Sequence, residues 1–336
     1  MQLRKLLDSP CGLRFMIDNL CTHSSYSRKI MLESSMMYDK NSIEKSYAVM
    51  KEFYEVVKND ENKNIVQSLQ FKLCNLKDIN HTISRLATSV VIDDIELYEV
   101  KSLALLSADV KNILEKISLD KIIEIPNLDD VVKILDPDGL RIATFYIYDS
   151  YSEELSRLRK QIAVTDDAEK LSELKFYEHE IEKSVRETLC KKLSPWASLL
   201  RDCLCRLVNI DIDVAKGGQM KSMNLIVPEI ASDGCGIYKG MFHPYVQSIL
   251  DKSGAVFTPI DIELDSRPAL IIGANMGGKT VVLNSFIMSG TKSAELKMYW
   301  STPEIEADRA YREARNVYTL DNTECVELMI TKILQE

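Results

Sequence analysis

Leu270-Ile271-Ile272-Gly273-Ala274-Asn275-Met276-Gly277-Gly278-Lys279-Thr280 is the stretch that decides how this chain is read. It fits G-x-x-x-x-G-K-[ST], the phosphate-binding P-loop. An apolar run enters the loop, and the helical pattern Val281-Val282-Leu283-Asn284-Ser285-Phe286 leaves it. The motif needs that strand–loop–helix setting. Glycines let successive backbone N–H groups curl toward one anion, and the following helix adds the positive end of its dipole. Gly273, Ala274, Asn275, Met276, Gly277, Gly278, Lys279 and Thr280 are therefore expected to cradle the phosphates of a nucleotide. Lys279 would reach the β- and γ-phosphates, and the Thr280 hydroxyl would ligate Mg²⁺.

Working outward, the texture changes near Gly217-Gly218. Beyond that point Met223-Asn224-Leu225-Ile226-Val227, Gly236-Ile237-Tyr238 and Ile260-Asp261-Ile262-Glu263-Leu264 read as strands, the last with a clean two-residue alternation. An α/β nucleotide-binding domain is expected over 217–336. What precedes it is helical. Ile43, Tyr47, Met50, Tyr54 and Val57 recur at three- and four-residue spacings, as do Ile79, Ile83, Leu86 and Val90, then Ile95, Leu97, Val100, Leu103 and Leu106. A helical core domain is expected over 1–149.

Asp136-Pro137-Asp138-Gly139 signals a turn, and the β-rich run Ile142 to Tyr148 after it predicts a short strand or an extended crossing. Two helical stretches follow, Ser150 to Ile162 and Asp167 to about Val214, with Thr165-Asp166-Asp167 as a break and N-cap and Pro195 as an interruption. They predict a long lever-like hairpin over 150–216.

The net charge of −9 and pI near 5.2 exclude a general basic coat for nucleic acid, so any DNA contact needs a local patch. Eight cysteines are scattered with no Cys-x-x-Cys pair, which disfavours a zinc site and suits a reducing, cytoplasmic setting. No 18-residue apolar run occurs, so no membrane span is expected.

Asn275-Met276-Gly277-Gly278-Lys279 resembles the P-loop of the MutS family of DNA mismatch repair ATPases. Phe242-His243-Pro244-Tyr245-Val246 is similar to the family's Arg-His-Pro segment, with Phe242 in place of Arg. Val256-Phe257-Thr258-Pro259-Ile260-Asp261-Ile262 is similar to its Phe-Val-Pro-Asn-Asp-Ile segment. The resemblance is specific over about 220–286 and architectural over 1–215. It implies a mostly α-helical core and lever region followed by an α/β P-loop domain of the ABC type. It further implies ATP and Mg²⁺ as cofactors, Phe257 stacked on adenine, Asn275 at the γ-phosphate, a homodimer formed through the ATPase domain, and ATP-gated DNA binding. His243-Pro244 is expected to be a turn that supports the pocket rather than a catalytic base.

Three departures bear on that expectation. Phe53-Tyr54-Glu55 matches the family's mismatch-reading Phe-x-Glu, but it lies within a helical stripe and lacks the preceding Gly-Asp. The segment between the paired long helices is too short for a large DNA clamp. Fifty-six residues follow Thr280, and none of them forms an apolar strand ending in Asp-Glu, the pair that would position Mg²⁺ and polarise the attacking water. The ATPase domain is thus expected to be partial at its C-terminus, with nucleotide binding retained and efficient hydrolysis not. No catalytic residue is assigned. A MutS-derived switch acting on a protein client, without DNA, stands as the alternative.

Overall fold

The structure is a computed structural model. It describes residues 3–8, 11–35, 37, 39–142, 144–230, 236–264, 278, 281–282 and 285. These residues are mostly helical, with one two-stranded sheet among them. The helices are α1 (Leu3–Leu6), α2 (Leu13–Asp18), α3 (Ser25–Glu33), α4 (Lys40–Lys58), α5 (Lys63–Leu73), α6 (Asn80–Ala87), α7 (Asp94–Lys116), α8 (Asp129–Leu135), α9 (Glu153–Ala163), α10 (Ala168–Leu193), α11 (Ala197–Met223) and α12 (Pro244–Ser253). The strands are β1 (Gly236–Met241) and β2 (Ile260–Leu264). The chain divides into two compact units. One holds Met1–Cys21, Leu32–Tyr47 and Ser222–Glu336; the other holds Thr22–Met31 and Ala48–Lys221.

The larger, helical unit is built around α7. Asp93 starts it with a capping box: its side chain accepts from the Glu96 N–H, and the Glu96 carboxylate accepts from the Asp93 N–H. Leu97, Val100, Lys101, Leu103, Ala104, Leu106, Val110, Ile113 and Leu114 are all buried, so α7 is covered on most of its surface. The stripe departs from the expected one at its start. Ile95 is 72% exposed, because it lies two residues, about 200°, round the helix from Leu97. Val90 is likewise exposed, in the turn between α6 and α7.

α11 supplies a second buried face through Leu200, Cys203, Leu204, Leu207, Val208 and Ile210. Burial pushes the Cys203 thiol up to about 12, against a hydrogen bond with Ser107 that lowers it. The two glycines taken as a domain edge lie inside this helix. A Cβ at Gly217 would come within 3.2 Å of the Phe53 carbonyl, so glycine permits α4 and α11 to approach closely. The helix ends at Met223, followed by Asn224 at φ +52, a left-handed stop that asparagine tolerates. The strand expected at Met223–Val227 is therefore not formed: Met223 is helical and residues 224–227 carry no strand.

Pro195 sits in a 3-10 turn, Ser194–Trp196, that separates α10 from α11. Asp167 caps α10 by accepting from the Glu169 and Lys170 N–H groups. α9 and α10 form the antiparallel hairpin that the sequence predicts. Its base is tied down by two arginines. Arg159 donates to Glu178, Glu182, Asp149 and the Ile147 carbonyl, and Arg186 donates to Asp94 of α7 at 2.7 Å. Phe53, the first residue of the Phe-x-Glu match, is 1% exposed within α4.

Between α8 and α9 the chain takes the extended course, not a strand, among the described residues. Gly139, at φ +66, closes the Asp136 turn by donating to the Asp136 carbonyl. Phe145, Ile147 and Tyr148 are then buried.

Candidate functional site

The other unit carries β1, β2, α12 and the described residues of the glycine-rich stretch. β1 and β2 pair antiparallel, with Gly236 opposite Leu264, Tyr238 opposite Ile262 and Met241 opposite Ile260. An irregularity falls between Tyr238 and Met241, where Gly240 adopts φ +62 and its N–H donates to the Asp261 carboxylate at 2.6 Å. β2 has the bounds its alternation predicts, Ile260 to Leu264, and its apolar residues face one side. That side matters because of what covers it. Met241 and Val282 form a buried cluster, with Tyr238, Ile260, Ile262 and Leu264 packed against it. The residue that anchors the helix after the glycine loop is thus set against the sheet.

At the loop itself, Gly278 has φ +80, a left-handed conformation that glycine takes at no steric cost. A Cβ there would meet no atom within 4 Å, so the backbone dihedral alone demands glycine. The Val282 N–H donates to the Gly278 carbonyl at 3.0 Å, an i to i−4 bond that opens a helix. Ser285 donates its hydroxyl back to the Val281 carbonyl at 2.8 Å, and Val281, Val282 and Ser285 are helical. A glycine at positive φ shortly before a helix N-terminus is a local geometry that can turn backbone N–H groups toward an anion. Gly273, Ala274, Asn275, Met276, Gly277, Lys279 and Thr280 lie outside the described residues, as does the expected strand Leu270–Ile272. Phe257 is described: it is half-buried on the run into β2, beside Val256, which is 88% exposed.

His243 holds the same unit together in a way the sequence only half disclosed. It caps α12, its Nδ1 accepting from the Val246 N–H at 3.4 Å, with Pro244 in the first turn. The side chain is buried, and it lies so close to Gly12, at φ +85, that a Cβ there would sit 2.4 Å from its Cε1. Burial lowers the His243 pKa, against a hydrogen bond with the Cys11 backbone that raises it, so the ring is held in the neutral form. Phe15 of α2 packs against Tyr245 of α12, ring centroids 5.5 Å apart and the planes tilted by 48°. His243 is a capping and packing residue here. Nothing in the sequence pointed to Gly12, because its partner is 231 residues away.

Two buried polar clusters lie in the helical unit and were not singled out by the sequence. Lys101, with no exposed side-chain surface, donates to Asp136 at 3.1 Å and to the Tyr148 hydroxyl at 3.0 Å. Burial opposes the Asp136 charge, but the Arg141 N–H and Lys101 outweigh it and hold that carboxyl low. Asp211 of α11 accepts from the His23 ring at 2.8 Å and from the His23 and Ser24 N–H groups at 2.9 Å. Burial again opposes the charge, and these bonds hold the carboxyl below its usual range. Both clusters tie a loop to a long helix. Among the described residues, no group of three His, Cys, Asp or Glu side chains could hold a metal ion, and no helix is long and apolar enough to cross a membrane. No protein-family model matches the chain.

Proposed function

We propose that this is a MutS-like ATP-binding protein in which nucleotide occupancy of an ABC-type P-loop domain gates binding to DNA. The observation that carries the reading is the G-x-x-x-x-G-K-[ST] match at Gly273–Thr280. It is supported by Gly278 at φ +80 and by the helix that starts from its carbonyl. On this reading Gly273 to Lys279 wrap the phosphates, Thr280 ligates Mg²⁺, Asn275 meets the γ-phosphate and Phe257 offers its half-buried ring to adenine. Two such domains pair, and ATP favours the paired state by its differential affinity for it. The helical unit, with the α9–α10 hairpin, is the arm that this pairing moves.

The net charge of −9 favours a second reading, in which the same ATP-gated switch, working in the cytoplasm, acts on a protein client rather than on DNA. Fluorescence anisotropy of labelled duplex DNA, titrated with protein at several salt concentrations and with ATP or ADP, separates the two. ATP-dependent binding that weakens linearly in log salt supports the DNA reading. Absence of duplex binding at low salt, with ATP bound, excludes it and leaves the client reading.

A further inference from the structure

Residues Met1–Cys21 share a compact unit with β1, α12, β2 and Val282, although more than 200 residues of chain separate them. Two contacts tie this N-terminal segment to the first residues of α12. At Gly12, a Cβ would stand 2.4 Å from Cε1 and 3.1 Å from Nε2 of His243, so the imidazole takes the space that any side chain there would need. The same ring is hydrogen-bonded to the Cys11 backbone. Gly12 also starts α2, its carbonyl accepting from the Met16 N–H at 3.3 Å, and Phe15 of α2 packs against Tyr245.

From His243 the contacts lead on to the glycine-rich stretch. Met241, the end of β1, lies two residues before His243, a span of about 7 Å of extended chain. Its side chain is buried with that of Val282. The Val282 N–H in turn donates to the Gly278 carbonyl at 3.0 Å. A ring against a backbone, two covalent steps, a buried side-chain contact and a hydrogen bond thus run without a break from Gly12 to Gly278. Close-packed contacts of this kind do not absorb a displacement at one end; they pass it on. We propose that Gly12 and His243 are positioning residues for the phosphate loop, so that docking of the N-terminal segment on α12 raises the affinity of that loop for nucleotide. This rests on the reading of Gly273–Thr280 as the nucleotide site. Docking and nucleotide binding then favour each other by the same factor. The succession ends at Gly278 and not at Phe257, so it acts on the phosphates rather than the base.

Isothermal titration calorimetry of the full chain with Mg²⁺-ATP and with Mg²⁺-triphosphate tests it. Gly12→Ala drives a methyl into the His243 ring and is expected to weaken both ligands equally, on the order of tenfold. His243→Asn still caps α12 but removes the ring. In that background, itself weaker than the wild type, Gly12→Ala is expected to cost no further affinity. Alanine at φ +85 stays strained in the double variant, so its melting temperature remains low while its affinity does not fall further. A role in packing alone would lower the melting temperature and leave both affinities unchanged. The wild type gives a second reading that needs no variant to fold. Saturating Mg²⁺-ATP is expected to slow amide exchange across Leu13–Asn19, also on the order of tenfold. Unchanged affinities in Gly12→Ala, a loss for ATP without one for triphosphate, or unchanged exchange with ATP bound overturns the proposal and leaves the nucleotide site standing. A folded wild type that binds neither ligand removes the nucleotide site, and the proposal with it.

Discussion

The backbone N–H of Val282 donates to the carbonyl of Gly278 across 3.0 Å, while Val282 itself is buried with Met241 against the β1–β2 sheet. One residue therefore both starts the helix and fixes it to its support. Gly278 has φ +80, a conformation that a side chain would resist. Gly278→Ala is expected to cost about 1–2 kcal/mol, wholly as backbone strain, since the space around it is open. Urea unfolding reads this. A neutral effect would remove the left-handed conformation from the account.

His243 gives the same unit a pH dependence whose sign is fixed. Its folded pKa is lowered by burial, so the unfolded chain binds the proton more readily. Its contribution is fully present above the unfolded value of about 6.5 and is lost as pH falls from there toward the folded value. Melting temperature is expected to fall between pH 7.5 and 5.5, and His243→Asn, which can still cap α12, is expected to flatten that fall. An unchanged pH profile in the variant would place the titration elsewhere. Gly12→Ala at constant pH should destabilise by about 1–3 kcal/mol, because the new methyl meets the His243 ring.

The Lys101–Asp136 pair predicts a coupling. Both side chains are buried, so removing one leaves the other charged and uncompensated. Lys101→Met is expected to cost about 3 kcal/mol in urea unfolding, and the double variant with Asp136→Asn less than the two singles together. Additive losses would mean that the two residues act independently.

Much of this architecture is legible because local chemistry wrote it. Asp167 and the Asp136 turn announce themselves as a cap and a turn, Pro195 as an interruption, and Ile260–Leu264 alternates as a half-buried strand should. What the sequence hid is long-range or one-sided. Gly217 stands where the sequence places the edge of the next domain, yet it lies inside α11, because close approach to Phe53 asks for a missing Cβ. Met223–Val227 has β-forming residues, but Asn224 at φ +52 ends the helix there and no strand follows. At the candidate site the motif fixes the residues. The structure adds Gly278, the start of the helix and the burial of Val282, while the remaining P-loop positions lie outside the described residues.

Phe257, half-buried before β2, is assigned to the base and not the phosphates. Phe257→Ala should weaken ATP by about 1–2 kcal/mol, in the range of an aromatic stacking contact, and leave inorganic triphosphate unchanged. Equal losses for both ligands, read by competition binding, would take Phe257 out of that role.

The central claim is that Gly273–Thr280 binds nucleotide. Isothermal titration calorimetry with Mg²⁺-ATP, on the wild type and on Lys279→Ala, tests it most directly. The account predicts saturable binding at one site per chain in the wild type, lost in the variant while its far-UV circular dichroism stays the same. Equal affinity in the two proteins, or no binding by the folded wild type, would contradict it.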